Sequence, residues 1–335
     1  MRIGVTYDLR SDYRAMGYGE EDTAEFDNEI TIEAICDALA TLGWQVARIG
    51  NVKALAEALV AGERWDAVFN FCEGLRGFAR EAQVPALLDA YDIPYVFSDA
   101  LTLALTLDKS MAKRVVRDCG IPTPDFAVIE CATDIRHVKL PHPLFLKPVA
   151  EGSGKGVNAK SRVENPAALK RVATELLARF EQPVLVETFL PGREFTVAIL
   201  GTGESARVLG VSEIVPKANW VGDGYGFENK NEGWQDKVTI VGADPASAHS
   251  AGRVALDAWR ALRCRDGGRV DIRNDANGQP NFIEVNPVAG LRPEHSDMCL
   301  IATREGLTHR DLIGSIMESF LKRNPQLGAR LRIAA

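Results

Sequence analysis

Two acids and one amide near the end of the chain form a candidate metal site. Asp271 lies on one predicted strand, and Glu284 and Asn286 lie on the strand that follows it. Residues two positions apart in a strand project from the same face, so Glu284 and Asn286 share a face. Mg²⁺ prefers carboxylate and amide oxygens and completes its shell with water and substrate phosphates. The set indicates a metal site for a nucleotide, and a solvated face with unrelated acids is the alternative.

Three basic residues could meet phosphate groups. Lys109 follows Asp108 at a predicted helix start, where the helix dipole disfavours a cation unless an anion neutralises it. Lys147 lies within an otherwise apolar strand, and Arg269 precedes Asp271 by two residues, so it points to the face of the candidate metal site. Arg269 could stabilise charge that develops during phosphoryl transfer. For each lysine taken singly, the alternative is that its ammonium group reaches water.

A glycine-rich segment lies between two predicted strands, with the sequence Glu151-Gly152-Ser153-Gly154-Lys155-Gly156. Glycine removes the steric bar to close approach, so backbone N–H groups here could bind phosphate oxygens. The segment is not a Walker loop, because Val149 stands where the first glycine belongs and Gly156 replaces the metal-binding Ser or Thr. A glycine-rich turn without a ligand is the alternative.

Alternating elements in the first hundred residues must position part of this chemistry. Short apolar runs at 2–5, 45–49, 67–71 and 95–97 alternate with helical patterns, which predicts a parallel sheet with helices on both faces. Ligands of such sheets bind beyond the carboxyl ends of the strands. An unusually long loop, 7–27, follows the first strand there, and long loops are more often functional than idle.

The rest of the chain divides into two further units by pattern. A helix that closes at Gly120 is followed by Pro122 and Pro124, which force extended backbone. Longer strands begin at Glu194, and Asn277-Gly278 predicts a hairpin. We expect an amino-terminal Rossmann-like domain at 1–100, a central subdomain at 101–188 and a carboxy-terminal subdomain at 189–335.

The composition is that of a globular protein whose partners are small molecules. The 335 residues are 46% hydrophobic and 25% charged, with a net charge of −7 and no block of like charge. Neither a nucleic-acid surface nor a membrane surface is expected. The six cysteines form no C-x-x-C pair, and no apolar run approaches the roughly 20 residues that cross a bilayer. We expect a cytoplasmic protein.

Four segments together resemble the D-alanine:D-alanine ligase branch of the ATP-grasp superfamily. They are TLDKSMAKRVVRDCGIPTP (106–124), LFLKPVAEGSGKGV (144–157), VLVETFLPGREFTVAIL (184–200) and GRVDIRNDANGQPNFIEVNP (268–287). Their order and spacing make coincidence unlikely, and the resemblance covers nearly the whole chain. It implies an α/β ATP-grasp fold preceded by the Rossmann-like parallel-sheet domain.

The resemblance also implies roles on the nucleotide side. Phosphates would contact Lys109 and Lys147, and the turn at Gly152, Ser153 and Gly154 would close over them. The adenine edge would be read by Glu187 and the backbone near Leu190, and ribose would be bound by Glu194. Lys230 would reach the γ-phosphate, Arg269 would steady the transferred phosphoryl group, and two Mg²⁺ ions would be ligated by Asp271, Glu284 and Asn286.

On the substrate side the sequence departs from that family. Asn231 follows Lys230 where the dipeptide ligases usually have Tyr, and Glu73 stands at the family's usual His. A glutamate near the amino terminus usually contacts the turn serine, and Glu29 is our candidate for it. The remaining candidate substrate residues are Gly290, Arg292 and Ser296. Buried polar sites reject a wrong partner by leaving groups unpaired, so these departures predict altered substrates rather than lost ATP use.

The resemblance implies an ADP-forming ligase that joins a carboxylate to an amine through an acyl phosphate. Its substrates would be amino-acid-like small molecules, and homodimers are common among relatives. One alternative is a ligase for a different amino or hydroxy acid, and another is a non-catalytic ATP-binding sensor of the same fold. A kinase or other phosphotransferase is a third.

Overall fold

The structure is a computed structural model that describes residues 1–220, 222–224, 226 and 234–334. Three sheets organise the described chain, one parallel and two antiparallel. The α/β fold class expected from the sequence is confirmed. Each sheet falls within one of the three predicted units, whereas some helices pack against a sheet of another unit.

The first sheet has four parallel strands in the order β2-β1-β3-β4. They are β1 (Arg2–Tyr7), β2 (Gln45–Gly50), β3 (Ala67–Phe71) and β4 (Tyr95–Val96). The associated helices are α1 (Arg10–Ala15), α2 (Glu29–Thr41), α3 (Val52–Val60) and α4 (Gln83–Ala90). Asn28 and Asn51 cap α2 and α3 by accepting backbone N–H bonds. The alternation of strand and helix predicted this sheet correctly.

The predicted long loop is partly folded. It contains α1, and Leu9 forms an isolated parallel bridge with Asp27. Arg10 donates to the backbone oxygens of Thr23, Ala24 and Phe26. These bonds return the chain to the end of β1 before α2 begins.

The second sheet is antiparallel, with the order β5-β8-β6-β7. Its strands are β5 (Phe126–Ile129), β6 (Leu144–Pro148), β7 (Arg162–Val163) and β8 (Val184–Thr188). Helices α5 (Ala100–Leu107) and α6 (Lys109–Asp118) precede it, and α7 (Pro166–Phe180) covers one face. The buried side chains of α7 recur at helical spacing, at Leu169, Val172, Ala173 and Leu176.

The third sheet has five antiparallel strands in the order β11-β10-β9-β12-β13. They are β9 (Glu194–Leu200), β10 (Arg207–Pro216), β11 (Val238–Gly242), β12 (Gly267–Asn274) and β13 (Pro280–Asn286), and α8 (Pro245–Ala261) packs against them. The Asn-Gly turn joins β12 to β13 as predicted. The register pairs Asp271 with Glu284 and Arg269 with Asn286.

The last three helices contribute to a core shared with the first sheet, and the first of them packs on β9 and β10 of the third sheet. They are α9 (Asp297–Arg304), α10 (His309–Arg323) and α11 (Pro325–Ala334). Leu312, Ile316 and Phe320 share one buried core with Ile3 and Leu39. In the same way, Ala112 and Val116 of α6 lie in the core of the third sheet. Helices near the predicted boundaries therefore pack on a sheet of another unit. Their apolar faces are buried against whichever sheet the chain places beside them.

Asp266 is a buried junction between these units. It accepts hydrogen bonds from the backbone nitrogen of Phe97 at 2.8 Å, from Ser319 Oγ at 2.9 Å and from Arg323 Nε at 2.9 Å. These partners lie at the end of the first sheet and on α10. Among the described residues, no helix combines the length and apolarity needed to cross a membrane.

Candidate functional site

Two lysines from different elements approach one acid of the third sheet. Lys109 begins α6, which Asp108 caps through the backbone nitrogens of Ser110 and Met111. Lys147 lies on β6. Each Nζ is 3.7 Å from Oε2 of Glu284 on β13. The sequence treated these side chains as separate signals, and the fold brings them together.

These residues line a cleft between the second and third sheets that encloses about 790 Å³, its open mouth included. Phe145, Val157, Phe189 and Ile283 supply apolar wall. Of the residues predicted for the nucleotide and metal, the cleft is lined by Lys109, Lys147, Gly154, Glu187, Leu190, Glu194, Asp271 and Glu284. Apolar walls beside clustered charges suit a ligand that combines a flat ring with phosphate groups.

Glu187 lies between two ammonium groups. Its Oε1 is 2.6 Å from Nζ of Lys113, and its Oε2 is 3.1 Å from Nζ of Lys147. Glu187 lines the cleft, and both of its carboxylate oxygens have cationic partners, so its contact with a ligand edge stays a prediction. Lys113 was missed, although it lies one helical turn after Lys109 and so faces the same way.

Burial and charge oppose each other in this group. Burial alone would raise the pKa of Glu187, but Lys113 and Lys147 hold that pKa below its ordinary value. Burial lowers the pKa of Lys113 to about 8, against the pull of Glu187. For Lys147, burial would lower the pKa, yet Glu187 and Glu284 raise it above the ordinary value. The ammonium of Lys147 is therefore the one that stays firmly charged.

Arg269 bridges two acids beside the cleft. Its Nε lies 3.0 Å from Asp271 Oδ1, and its Nη1 lies 2.9 Å from Asp297 Oδ2. Asp271 also accepts a hydrogen bond from Thr196 Oγ1 at 2.8 Å. Arg269 thus contacts the candidate metal face, as predicted, but does not itself line the cleft.

The candidate metal ligands lie on adjacent strands. Nδ2 of Asn286 is buried without a hydrogen-bond partner. In the part of the chain that the structure describes, no three His, Cys, Asp or Glu side chains gather closely enough to hold a metal ion. The predicted set differs from such a cluster because its third member is an amide.

The glycine-rich turn is fixed by an acid from the amino-terminal loop. Glu25 accepts a hydrogen bond from the backbone nitrogen of Gly152 at 2.5 Å, and Ser153 Oγ donates to the Ala24 carbonyl at 3.5 Å. A Cβ at Gly152 would lie 2.6 Å from Oε1 of Glu25, so a larger residue there would displace the Glu25 carboxylate. Ser153 adopts φ +50°, in the left-handed region that few side chains tolerate.

Glu25 also neutralises two buried cations. It lies 3.0 Å from Arg80 Nη2 and 3.3 Å from Lys155 Nζ. Burial would raise the pKa of Glu25, but Arg80 and Lys155 lower it below the ordinary value. Arg80 donates in addition to the Ala150 carbonyl at 2.8 Å. The amino-terminal unit thereby holds both sides of the turn.

The prediction that Glu29 contacts the glycine-rich turn is wrong. Glu29 begins α2, is exposed, and forms an ion pair with Arg48 of β2. Glu25 takes the position expected of it. The sequence places several glutamates in this segment, and only the folded path of the loop distinguishes them.

A second, smaller cleft adjoins the first and shares Lys109 and Glu284 with it. Glu73 and Glu81 line this cleft together with Gly152 and Asn286. Burial, opposed by the charge of Arg80, raises the pKa of Glu81 to about 7. Burial followed by the charges of Glu81 and Glu25 raises the pKa of Glu73 well above its ordinary value. Glu73 was predicted to face a substrate, and Glu81 was missed.

Three predicted substrate residues form a turn before α9. The backbone nitrogen of Arg292 donates to Ser296 Oγ at 3.0 Å, and a Cβ at Gly290 would lie 2.8 Å from the same oxygen. Among the described residues these three line neither of the two clefts. The cleft residue nearest to them in the sequence is Val288.

Glu194 pairs with Arg273 at 3.3 Å. Lys230 and Asn231 lie outside the described residues.

Comparison with known proteins gives consistent matches. Residues 115–318 match the family model described as D-ala D-ala ligase C-terminus. The chain is similar to D-alanine–D-alanine ligase B of Xanthomonas campestris, with 33% identity over 86% of this chain and 88% of that protein. It is also similar to the D-alanine–D-alanine ligase of Bordetella pertussis, with 37% identity over 79% of this chain and 81% of that protein.

Solved structures share the fold. The D-alanine–D-alanine ligase of Bacillus anthracis superposes with a TM-score of 0.73 at 20% identity, over 97% of this chain and 99% of that one. The VanG D-Ala:D-Ser ligase of Enterococcus faecalis gives a TM-score of 0.73 at 20% identity, over 95% and 99%. The parallel first sheet and the two antiparallel sheets are therefore an arrangement common to these molecules.

Proposed function

The chain belongs to the D-alanine–D-alanine ligase family, and from that membership we propose that it joins a carboxylate to an amine in an ATP-dependent reaction. ATP is converted to ADP and phosphate, and the product is an amide. The two substrates are small, amino-acid-like molecules. The cytoplasmic location and the homodimer expected from the sequence stay predictions.

The observation that carries this proposal is the approach of Lys109 and Lys147 to Glu284, with 3.7 Å from each Nζ to the same oxygen. Here side chains of opposite charge from α6, β6 and β13 lie beside the apolar residues of the cleft wall. An adenine nucleotide needs such a combination, because its ring is apolar and its phosphates require several cations. We infer that the two lysines bind phosphates, that the backbone near Leu190 reads adenine, and that Glu194 binds ribose.

Mg²⁺ fits the residues at the base of the cleft. Asp271, Glu284 and Asn286 offer carboxylate and amide oxygens, which are the donors a hard cation prefers. The orphaned amide nitrogen of Asn286 is a donor, so its missing partner is an acceptor oxygen such as that of a phosphate, and the metal would be held by Oδ1. When bound, Mg²⁺ neutralises phosphate charge. We propose that these three residues hold it, with two ions as the sequence resemblance implies.

The reaction has two balanced steps. An oxygen of the substrate carboxylate attacks the γ-phosphorus, an O–P bond forms, and the bond to ADP breaks. The amine then attacks the acyl carbon, phosphate leaves with the bridging oxygen, and the amine loses a proton. Arg269, held by Asp271 and Asp297, faces the charge that develops. We propose that the turn at Gly152, Ser153 and Gly154 covers the labile acyl phosphate and excludes water. Lys230, to which the resemblance assigns the γ-phosphate, lies outside the described residues.

We propose that the second cleft contributes to substrate choice. Glu73 and Glu81 place two acids where a cationic group would relieve their mutual repulsion. A substrate with an additional amino group would therefore bind better there than alanine. Arg292, Ser296 and Gly290 lie in the turn between β13 and α9. They remain candidates for binding a substrate carboxylate, which they would reach through a change in the conformation of this turn.

Product analysis tests the proposal. The purified protein is incubated with ATP, Mg²⁺ and pooled amino acids of both configurations, with diamino acids in a separate pool. Mass spectrometry should find an amide and equimolar ADP. A phosphorylated product without an amide would favour a phosphotransferase. ATP binding without turnover in any pool would favour the sensor.

A further inference from the structure

Lys113 is a buried cation with no access to the nucleotide cleft. It is 0% exposed, and it is not among the residues that line either cleft. Its Nζ contacts Glu187 Oε1 at 2.6 Å, Thr123 Oγ1 at 2.9 Å and the Phe282 carbonyl at 3.1 Å. Removing a charge from water so completely is unfavourable unless its partners compensate. Packing alone therefore does not explain why a charged side chain is buried at this position.

The three partners of Lys113 belong to three different parts of the site. Glu187 lies on β8 of the second sheet, Phe282 lies on β13 of the third sheet, and Thr123 lies in the segment between α6 and β5. Lys113 itself is on α6, one turn after Lys109. The ammonium thus joins the strand that carries Glu187 to the strand that carries Glu284.

Charge balance gives this contact a consequence for the cleft. Lys113, Glu187 and Lys147 together carry one net positive charge. Lys113 lies nearer to Glu187, at 2.6 Å, than Lys147 does, at 3.1 Å. The buried lysine neutralises the acid, and the positive charge that remains belongs to Lys147, which lines the cleft.

Resting on the proposed function, we propose that Lys113 is a positioning residue for ATP binding, which acts through Glu187 to keep the charge of Lys147 available to a phosphate. Without Lys113, Glu187 and Lys147 form a neutral pair. Their attraction then competes with the phosphate for the same ammonium. Lys113 itself never touches the nucleotide.

Calorimetry with ATP and Mg²⁺ on the full-length protein tests this. Lys113→Met should weaken ATP binding at least tenfold and should raise the KM for ATP more than it lowers kcat. The double variant Lys113→Met/Glu187→Gln removes both buried charges and again leaves Lys147 as the only charge of the three. The double variant should bind ATP more tightly than Lys113→Met, because Lys147 no longer has an unneutralised acid beside it, and a merely structural role for Lys113 would not produce that gain.

The controls separate charge from stability. Leu176→Ala, which alters a buried α7 side chain in the core of the second sheet, should lower the melting temperature without changing ATP affinity. Lys113→Gln can still donate to Thr123 and Phe282, and it serves if the Met variant does not fold. It should bind ATP as weakly as the Met variant.

Two results would overturn the inference. One is ATP binding by Lys113→Met and Lys113→Gln at the original affinity. The other is a double variant that binds ATP no more tightly than Lys113→Met. If the unaltered protein itself binds no ATP, the proposed function fails first, and that outcome is distinguishable from both.

Discussion

The carboxylate of Glu25 accepts a hydrogen bond from the backbone nitrogen of Gly152, a residue 127 positions later in the chain. The same carboxylate neutralises Arg80 and Lys155. One acid of the amino-terminal loop therefore fixes the conformation of the glycine-rich turn. The loop therefore carries the contact that joins the first unit to the nucleotide cleft.

Replacing Glu25 should be far more harmful than replacing Glu29. Glu25→Ala removes the ion pair of buried Arg80, while Lys155 keeps its pair with Glu151, and breaking a buried ion pair typically lowers the free energy of unfolding by about 3–5 kcal/mol. Glu29→Ala breaks an exposed pair with Arg48, for which about 1 kcal/mol or less is expected. Urea unfolding measures both, and the KM for ATP should rise only for Glu25→Ala. Equal losses for the two variants would contradict the placement of Glu25.

Arg269→Ala should abolish turnover while largely preserving ATP binding. Its guanidinium contacts Asp271 and Asp297 and does not line the cleft. Loss of one group that stabilises developing charge lowers kcat by about 10²–10³-fold. Steady-state kinetics and calorimetry report the two quantities separately. A loss confined to ATP affinity would assign Arg269 to binding instead.

Stability should fall as the pH rises toward neutrality, partly because of Glu81. Burial raises the pKa of Glu81 in the folded state to about 7, from an ordinary value of 4.5. A raised pKa stabilises the fold fully below the ordinary value, and that contribution is lost as the pH rises through the folded value. Melting temperatures between pH 5 and 8 should decline less steeply in Glu81→Gln. An unchanged slope would show that Glu81 ionises normally.

Asp266 should be among the most sensitive positions in the chain. Its carboxylate is buried and binds Phe97, Ser319 and Arg323. Asp266→Ala would leave these donors unsatisfied, and Arg323 would lose its counter-ion, so about 3–5 kcal/mol of stability should be lost. Denaturant unfolding gives the value. Asp266→Asn, which keeps an acceptor oxygen, should lose less, and a larger loss in Asn than in Ala would contradict the junction.

Local patterns predicted much of the fold. The alternation of apolar runs and helices gave the first sheet, because a half-buried strand and an amphipathic helix differ in period. The Asn-Gly pair gave the β12–β13 hairpin, which sets Asp271 opposite Glu284. The two-residue strand β7 was missed, whereas the equally short β4 was found because it continues the alternation of strands and helices. The packing of α10 on the first sheet depends on contacts between distant segments, which no local pattern encodes.

The site was predicted less completely for a similar reason. Lys109, Lys147 and Glu284 were each ambiguous alone, and their convergence follows from the way two sheets face each other. Glu25 lies in an irregular loop, where no periodicity fixes which side chain points inward. Lys113 belongs to a strongly polar helix, so its complete burial is not visible until β8 and β13 are in place.

Isotope transfer from the substrate tests the central claim most directly. A carboxylate substrate labelled with ¹⁸O in both oxygens is incubated with ATP, Mg²⁺ and the amine found by product analysis. If the carboxylate attacks the γ-phosphorus in the cleft at Lys109, Lys147 and Glu284, each released phosphate carries one ¹⁸O and the amide keeps the other. Phosphate free of ¹⁸O, formed together with the amide, would contradict the acyl phosphate route.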